Sequence, residues 1–332
     1  MTMAINKVGV IGGGSWGTAL ASVAVRSGRE VTLWARSKEV CRTINQTHCN
    51  EAYLPGITLP KSLRATTRPH DLAGAEMVLL ATPAQAMRAV LTDFAGVLKT
   101  GIPAVINSKG IERQSGKFLS DVLADCAPGL TPAVLSGPSF AADVTRALPT
   151  AVTVAAEHIE TAQTVAGALS LPTFRIYPST DLRGVQLCGT VKNVLAIACG
   201  ICEGKQLGDS ARAALITRGF AELSRLANAE GVAPSTLTGL SGLGDLILTC
   251  SSRQSRNFSL GVALGEGKSL GDVMAGRRTV SEGVHSAQEV VELAQRHGIE
   301  MPIAEAVTAI AAGRSSADDE IIRLLSRPVG PE

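Results

Sequence analysis

The chain has 332 residues, longer than one ordinary doubly wound unit and suited to two domains with sizeable cores. Its 31 Lys and Arg stand against 29 Asp and Glu, a balance that offers no electrostatic footprint for nucleic acid or an anionic membrane, so any anion is bound locally. Although 45% of the residues are hydrophobic, the longest apolar runs, such as Val194 to Cys199, fall short of the roughly 18 to 20 residues that span a bilayer. Seven cysteines at irregular spacing form no disulfide framework and suit a reducing cytoplasm. The first apolar run begins about six residues in, which leaves no room for an export signal.

The first predicted strand, Val8 to Ile11, passes directly into Gly12-Gly13-Gly14-Ser15-Trp16-Gly17-Thr18. Strand, tight turn and helix start make this a G-x-G-x-x-G dinucleotide fingerprint in its proper context. Gly12 permits the turn, Gly14 lets backbone amides approach a pyrophosphate, Gly17 allows close packing of helix on strand, and the helix N-terminus favours the anion. A second strand, Val31 to Trp34, ends in Ala35-Arg36 with no acidic residue. An acid there would hold the ribose hydroxyls of NAD, whereas Arg36 can take the 2′-phosphate, so NADPH is expected to be preferred over NADH.

Five further strands are predicted over Met77 to Ala81, Ala104 to Asn107, Ala133 to Ser136, Ala151 to Ala155 and Thr173 to Tyr177, alternating with helical patterns. This alternation predicts an α/β, Rossmann-type, doubly wound and mainly parallel sheet over residues 1–178. Ligands bind beyond the carboxyl ends of such strands, which directs attention to three loops: Thr82-Pro83, Asn107-Ser108-Lys109-Gly110 and Ser136-Gly137-Pro138-Ser139-Phe140-Ala141. Lys109 is placed to meet an anionic or carbonyl-bearing substrate, and Ser139 either contacts ligand or caps the following helix.

Beyond Pro178 the period-2 pattern stops, and residues 179–332 read as an all-helical domain with segments at Asp181 to Cys202, Ser210 to Ala229, Ser286 to His297 and Ile303 to Ala312. In the first of these, Gly189, Lys192, Asn193, Ala196 and Gly200 share one narrow arc of an otherwise apolar helix, which makes Lys192 a candidate functional group. Cys199 and Cys202 in the same run read as small buried hydrophobes rather than a redox or metal pair. Asp245, after Ser241-Gly242-Leu243-Gly244, either caps a helix or pairs with Lys192. Ser255-Arg256-Asn257 supplies a hydroxyl, a guanidinium and an amide suited to a phosphate or carboxylate.

Taken together, GGGSWGTA, NSKGIE, LSGPSFA, LCGTVKNVLAIACGI, SGLGDLILTC and SRN resemble the NAD(P)-dependent glycerol-3-phosphate dehydrogenases of the bacterial type, in order from about residue 7 to about 315. The resemblance implies interconversion of dihydroxyacetone phosphate and sn-glycerol 3-phosphate for glycerophospholipid synthesis. It also implies a helical domain like the C-terminal domain of 6-phosphogluconate dehydrogenase. By the same resemblance Lys192 is the catalytic proton donor or acceptor, and Lys109, Gly137, Ser139, Lys192, Asp245, Ser255, Arg256 and Asn257 bind substrate. Ser15, Trp16, Arg36, Lys109, Ala141, Arg256, Val280 and Glu282 contact the cofactor, beside Gly12, Gly14 and Gly17. No metal is called for. A homodimer is expected from the apolar faces of the helical domain. Two rivals stand beside this reading: a 3-hydroxyacid dehydrogenase or ketopantoate-reductase-like enzyme, which expects a carboxylate substrate, and a non-catalytic dinucleotide sensor, which leaves Lys192, Asp245 and Arg256 unexplained.

Overall fold

A computed structural model describes residues 5–275 and 282–328. The chain divides into two compact units, residues 1–112 with 117–186, and residues 113–116 with 187–332. The division falls after Gln186, inside a helix, rather than after Pro178. The reason is packing: Leu182 and Val185, in the first turn of that helix, are buried in the same cluster as Ile11, Leu80, Ile106 and Val134 of the sheet.

The first unit runs β1 (Lys7–Ile11), α1 (Ser15–Arg26), β2 (Glu30–Trp34), α2 (Lys38–Thr47), β3 (Cys49–Asn50), β4 (Leu54–Thr58), β5 (Arg64–Thr66), β6 (Met77–Leu80), α3 (Met87–Asp93), β7 (Pro103–Ile106), α4 (Leu119–Cys126), β8 (Thr131–Ser136), α5 (Ala141–Thr145), β9 (Thr150–Ala156), α6 (Ile159–Leu169) and β10 (Phe174–Ser179). Eight strands form one sheet in the order β10-β9-β8-β7-β6-β1-β2-β5. Every neighbouring pair is parallel except β8 and β9. Both faces are covered: Met77 and Leu79 of β6 enter one apolar cluster, and the alternating Val78 and Leu80 enter another. That is why the central strands read as unbroken apolar runs.

All seven predicted strands lie in this sheet. The short edge strand β5 and the separate antiparallel β3–β4 hairpin were not anticipated. Arg64-Ala65-Thr66 is too short to show a period, and Pro55-Gly56 within β4 reads as a turn.

The second unit contains α7 (Leu182–Gly204), whose first turn belongs to the sheet's core, then α8 (Asp209–Ala229), α9 (Pro234–Thr238), a π-turn at Leu240–Gly244, α10 (Asp245–Cys250), α11 (Arg256–Gly265), α12 (Leu270–Ala275), α13 (Glu282–Arg296), α14 (Pro302–Ala311) and α15 (Ala317–Leu325). By length and composition α7 is apolar enough to cross a membrane, but its most apolar stretch is entirely buried within the protein. It is the core helix about which others pack. A Cβ on Gly200 would lie 2.9 Å from the Cα of Gly261, and one on Gly265 would lie 3.1 Å from the Cα of Gly204, so the α7 and α11 backbones touch through two Gly-x-x-x-Gly ridges. Gly200, read in the sequence as part of a small-residue stripe around Lys192, therefore serves helix packing. Glu222 of α8 secures α14, its carboxylate accepting hydrogen bonds from the backbone N–H groups of Ile303 (2.8 Å) and Ala304 (3.4 Å).

Candidate active site

In the first unit the glycine turn is built as the sequence demands. Gly12 has φ +125°, its N–H donates to the Trp34 carbonyl at 2.9 Å, and a Cβ on it would lie 2.5 Å from the Ala81 carbonyl oxygen. A Cβ on Gly17 would overlap the Gly12 carbonyl. Gly14 differs, because nothing lies within 4 Å of where its Cβ would be. That open space adjoins the N-terminus of α1, which has no side-chain cap and no acidic residue in its first turn. An uncapped N-terminus facing open space fits a pyrophosphate, whose oxygens would take up the free amides. Gly13 is constrained as well, since a Cβ there would sit 2.5 Å from that of Ala35.

Around this turn, Trp16 and Ala141 pack, partly buried, against the apolar cluster on one face of the sheet. Ser15 Oγ donates to the Tyr53 carbonyl at 3.0 Å. Arg36 is exposed just beyond β2, beside Ser37, whose hydroxyl caps α2 by accepting from the Val40 N–H. At the carboxyl ends of β6 and β7, Ser108 Oγ donates to the Thr82 carbonyl, and the Asn107 N–H donates to Leu80 at 2.8 Å. Thr82 Oγ1 and Asn107 Oδ1 are buried without a hydrogen-bond partner among the described residues, leaving two polar atoms for a ligand.

Lys109 Nζ donates to Ser136 Oγ at 2.8 Å, joining the loop after β7 to the carboxyl end of β8. Gly137 has a packing reason to be glycine, because a Cβ would lie 2.8 Å from the Cα of Val152 on β9. Ser139 does not cap α5: its hydroxyl donates to the Gly137 carbonyl at 3.0 Å, and the cap position is held by Phe140 without a side-chain bond.

In the second unit, Lys192 and Asp245 are both buried, 6% and 1% exposed, with Nζ 2.6 Å from Oδ1. Such burial of a lysine is sustained only by a paired charge and further hydrogen bonds. The further partner is Thr249, whose Oγ1 accepts from Lys192 Nζ at 3.0 Å and donates to Asp245 Oδ1 at 3.3 Å. Asp245 is the first residue of α10, directly after the π-turn; the cap position is held by Gly244, and the Asp245 carboxylate lies against Lys192. Thr249 was missed in the sequence, although its i, i+4 spacing from Asp245 puts the two on one helix face.

Cys199, Cys202 and Cys250 are buried around this helix pair, and burial pushes the Cys250 thiol well above its ordinary value, keeping it an apolar neighbour. Ser255 caps α11 by accepting from the Phe258 N–H at 3.2 Å, Arg256 is exposed in the first turn, and Asn257 Oδ1 accepts from the Gly283 N–H at 3.1 Å. That last bond ties α11 to α13, which begins at Glu282. Val280 lies outside the described residues.

A doubly wound sheet with this glycine turn, followed by an all-helical unit carrying a buried Lys–Asp pair, is the build of a two-domain nucleotide-dependent dehydrogenase. The family model described as NAD-dependent glycerol-3-phosphate dehydrogenase N-terminus matches residues 7–162, and its C-terminus counterpart matches residues 181–322. The chain belongs to the NAD-dependent glycerol-3-phosphate dehydrogenase family. It is 57% identical, over all 332 residues and the whole of the relative, to the NAD(P)+ glycerol-3-phosphate dehydrogenase of Parvibaculum lavamentivorans. The enzyme so named from Caulobacter vibrioides is 54% identical over 99% of this chain and all of its own. The crystal structure of glycerol-3-phosphate dehydrogenase from Coxiella burnetii superposes with a TM-score of 0.92 at 38% identity, covering 97% of this chain and 99% of that one. A ketopantoate reductase from Ralstonia eutropha, with a TM-score of 0.59 at 16% identity over 95% of this chain and 99% of its own, shares the fold alone.

Proposed function

We propose that the chain interconverts dihydroxyacetone phosphate and sn-glycerol 3-phosphate, with NADPH preferred over NADH and with Lys192 as the proton donor and acceptor. The single observation that carries the chemistry is the buried Lys192–Asp245–Thr249 cluster. When bound, the reduced nicotinamide supplies the hydride that adds to the ketone carbon. The ketone oxygen then develops negative charge and needs both a proton and positive charge nearby. An ammonium has three donor directions, and Asp245 and Thr249 take two of those on Lys192, which leaves the third for a substrate oxygen. Asp245 keeps the charge in place where little water screens it.

Phosphate recognition is assigned to Arg256 and Lys109, with Gly137, Ser139, Ser255 and Asn257 as further substrate groups. Two of these present donors to an anion: the Ser255 oxygen and Asn257 Oδ1 already accept backbone N–H bonds, so an O–H and an amide NH2 remain. The cofactor reading rests on Gly12, Gly14, Gly17 and the α1 N-terminus, with Ser15, Trp16, Arg36, Ala141, Val280 and Glu282 as the remaining contacts. Its NADPH preference is supported by an exposed cation, without an acid, at the end of β2. The wider role in this reading is to supply glycerol 3-phosphate for phospholipid synthesis, as a homodimer in the cytoplasm. Seven free thiols suit that reducing compartment.

The test is NADPH oxidation by the purified chain with dihydroxyacetone phosphate, ketopantoate and succinic semialdehyde in parallel. Turnover with the phosphorylated ketone alone is expected; faster turnover with either carboxylate would overturn the substrate assignment, and cofactor binding without turnover would indicate a sensor.

A further inference from the structure

We infer that Asn50 is a positioning residue for the phosphate-binding turn, acting through a clamp made by the β3–β4 hairpin. The inference rests on the cofactor reading above and extends it to a residue that does not touch the ligand site's open face. Asn50 is fully buried, and its Nδ2 donates to the Gly13 carbonyl at 3.0 Å and to Thr18 Oγ1 at 2.8 Å. A carbonyl oxygen can only accept, so the atom facing Gly13 is the amide nitrogen and the orientation of the Asn50 side chain is fixed. Its Oδ1 has no hydrogen-bond partner among the described residues, so half of this amide's capacity is left unused in the interior. A buried amide kept at that cost is held for the two bonds it does make.

The same hairpin grips the turn a second time. Ser15 Oγ donates to the Tyr53 carbonyl at 3.0 Å, and the Tyr53 N–H donates to the Asn50 carbonyl at 3.0 Å, closing the hairpin's own bend. Gly13, Ser15 and Thr18 are thus all tied to a ten-residue excursion that is no part of the eight-stranded sheet. Three consecutive glycines form a segment with much conformational freedom to lose. By ordering that segment in advance, the clamp removes the ordering cost from cofactor binding, and it holds the first α1 amides toward the space beside Gly14.

A clamp of this kind acts on cofactor affinity and not on the chemical step. The experiment uses the full chain with Asn50→Ala, Thr18→Val and Thr18→Ser, measuring the Kd for NADPH by calorimetry without substrate, then kcat and both KM values. Asn50→Ala is expected to raise Kd about tenfold and Thr18→Val about threefold, roughly the worth of two buried hydrogen bonds and of one. Thr18→Ser, which keeps the hydroxyl, stays within about twofold, and kcat at saturating NADPH and KM for dihydroxyacetone phosphate change by less than about twofold throughout. Unchanged Kd in Asn50→Ala and Thr18→Val overturns the inference whatever happens to Tm, because the amide is then merely structural. A loss confined to kcat overturns it equally. Should Asn50→Ala not fold, the isosteric Thr18→Val against Thr18→Ser decides. A wild-type chain that does not bind NADPH would instead sink the cofactor reading itself.

Discussion

The glycine turn of the first unit and the lysine cluster of the second solve opposite physical problems. The turn offers backbone amides and empty space; its side chains matter chiefly by being absent, and a Cβ at Gly12, Gly13 or Gly17 would strike neighbouring atoms. The cluster offers one charge, and everything around Lys192 exists to keep that charge desolvated, paired and aimed. The groups that would bind an anion by dipoles are backbone amides of one short segment, whereas holding a lysine in a protein interior needs a side-chain partner brought from elsewhere. Thr249 comes from 57 residues away.

Breaking the cluster gives the largest effect. Lys192→Met is expected to lower kcat by about two to four decades, the usual range for an acid–base group, while NADPH still binds with near wild-type Kd in a calorimetric titration. Retention of a tenth of normal turnover would contradict the role given to Lys192 and erase the contrast between the two regions. Arg36→Ala acts in the first unit only. It should cut the ratio of kcat/KM for NADPH over that for NADH by roughly ten- to a hundredfold, the worth of one charge-assisted contact, and an unchanged ratio rules Arg36 out as the discriminating group.

Gly17→Ala sharpens the comparison from the other side. Its Cβ overlaps the Gly12 carbonyl, so the turn must shift, and about 1–3 kcal/mol of overpacking should appear as NADPH affinity about tenfold weaker, with kcat at saturation little altered.

The smallest expected effect concerns Glu222, a further buried carboxyl group of the helical unit. Burial pushes Glu222 up to about 7, although the Ile303 and Ala304 amides oppose the rise. The unfolded chain releases this proton near 4.5 and the folded chain holds it to about 7. Stability should therefore fall as pH rises through that window and level off above it. Glu222→Gln should flatten this slope, seen as a loss of a few degrees of pH dependence in Tm between pH 5 and 7. An unchanged slope assigns the dependence to other groups.

Much of this was legible because its signals are local. The seven predicted strands follow from apolar runs bounded by turns, and Gly12, Gly14 and Gly17 from their spacing behind the first of them. The pairing of Asp245 with Lys192 was one of two open readings, and the structure chose it: Gly244 holds the cap position of α10, while the Asp245 carboxylate lies against Lys192 Nζ and accepts from Thr249 of its own helix. For Ser139 the cap reading fails too, because Phe140 holds the cap position of α5 and the Ser139 hydroxyl donates back to the Gly137 carbonyl. The β3–β4 hairpin was invisible, since its strands are short, one contains Pro55-Gly56, and nothing in the sequence of Asn50 announces that it reaches Gly13.

By itself, then, the sequence determined the class of both units and the glycine turn behind the first strand, because periodicity and glycine spacing are short-range properties of the chain. Only the tertiary structure decided that Gly200 packs a helix rather than lining a site, that Thr249 completes the Lys192 cluster, that the division between units lies within α7, and that Asn50 holds the glycine turn. Each of these depends on which distant atoms come to rest within hydrogen-bond or van der Waals reach, and that is settled by how the helices and the sheet pack.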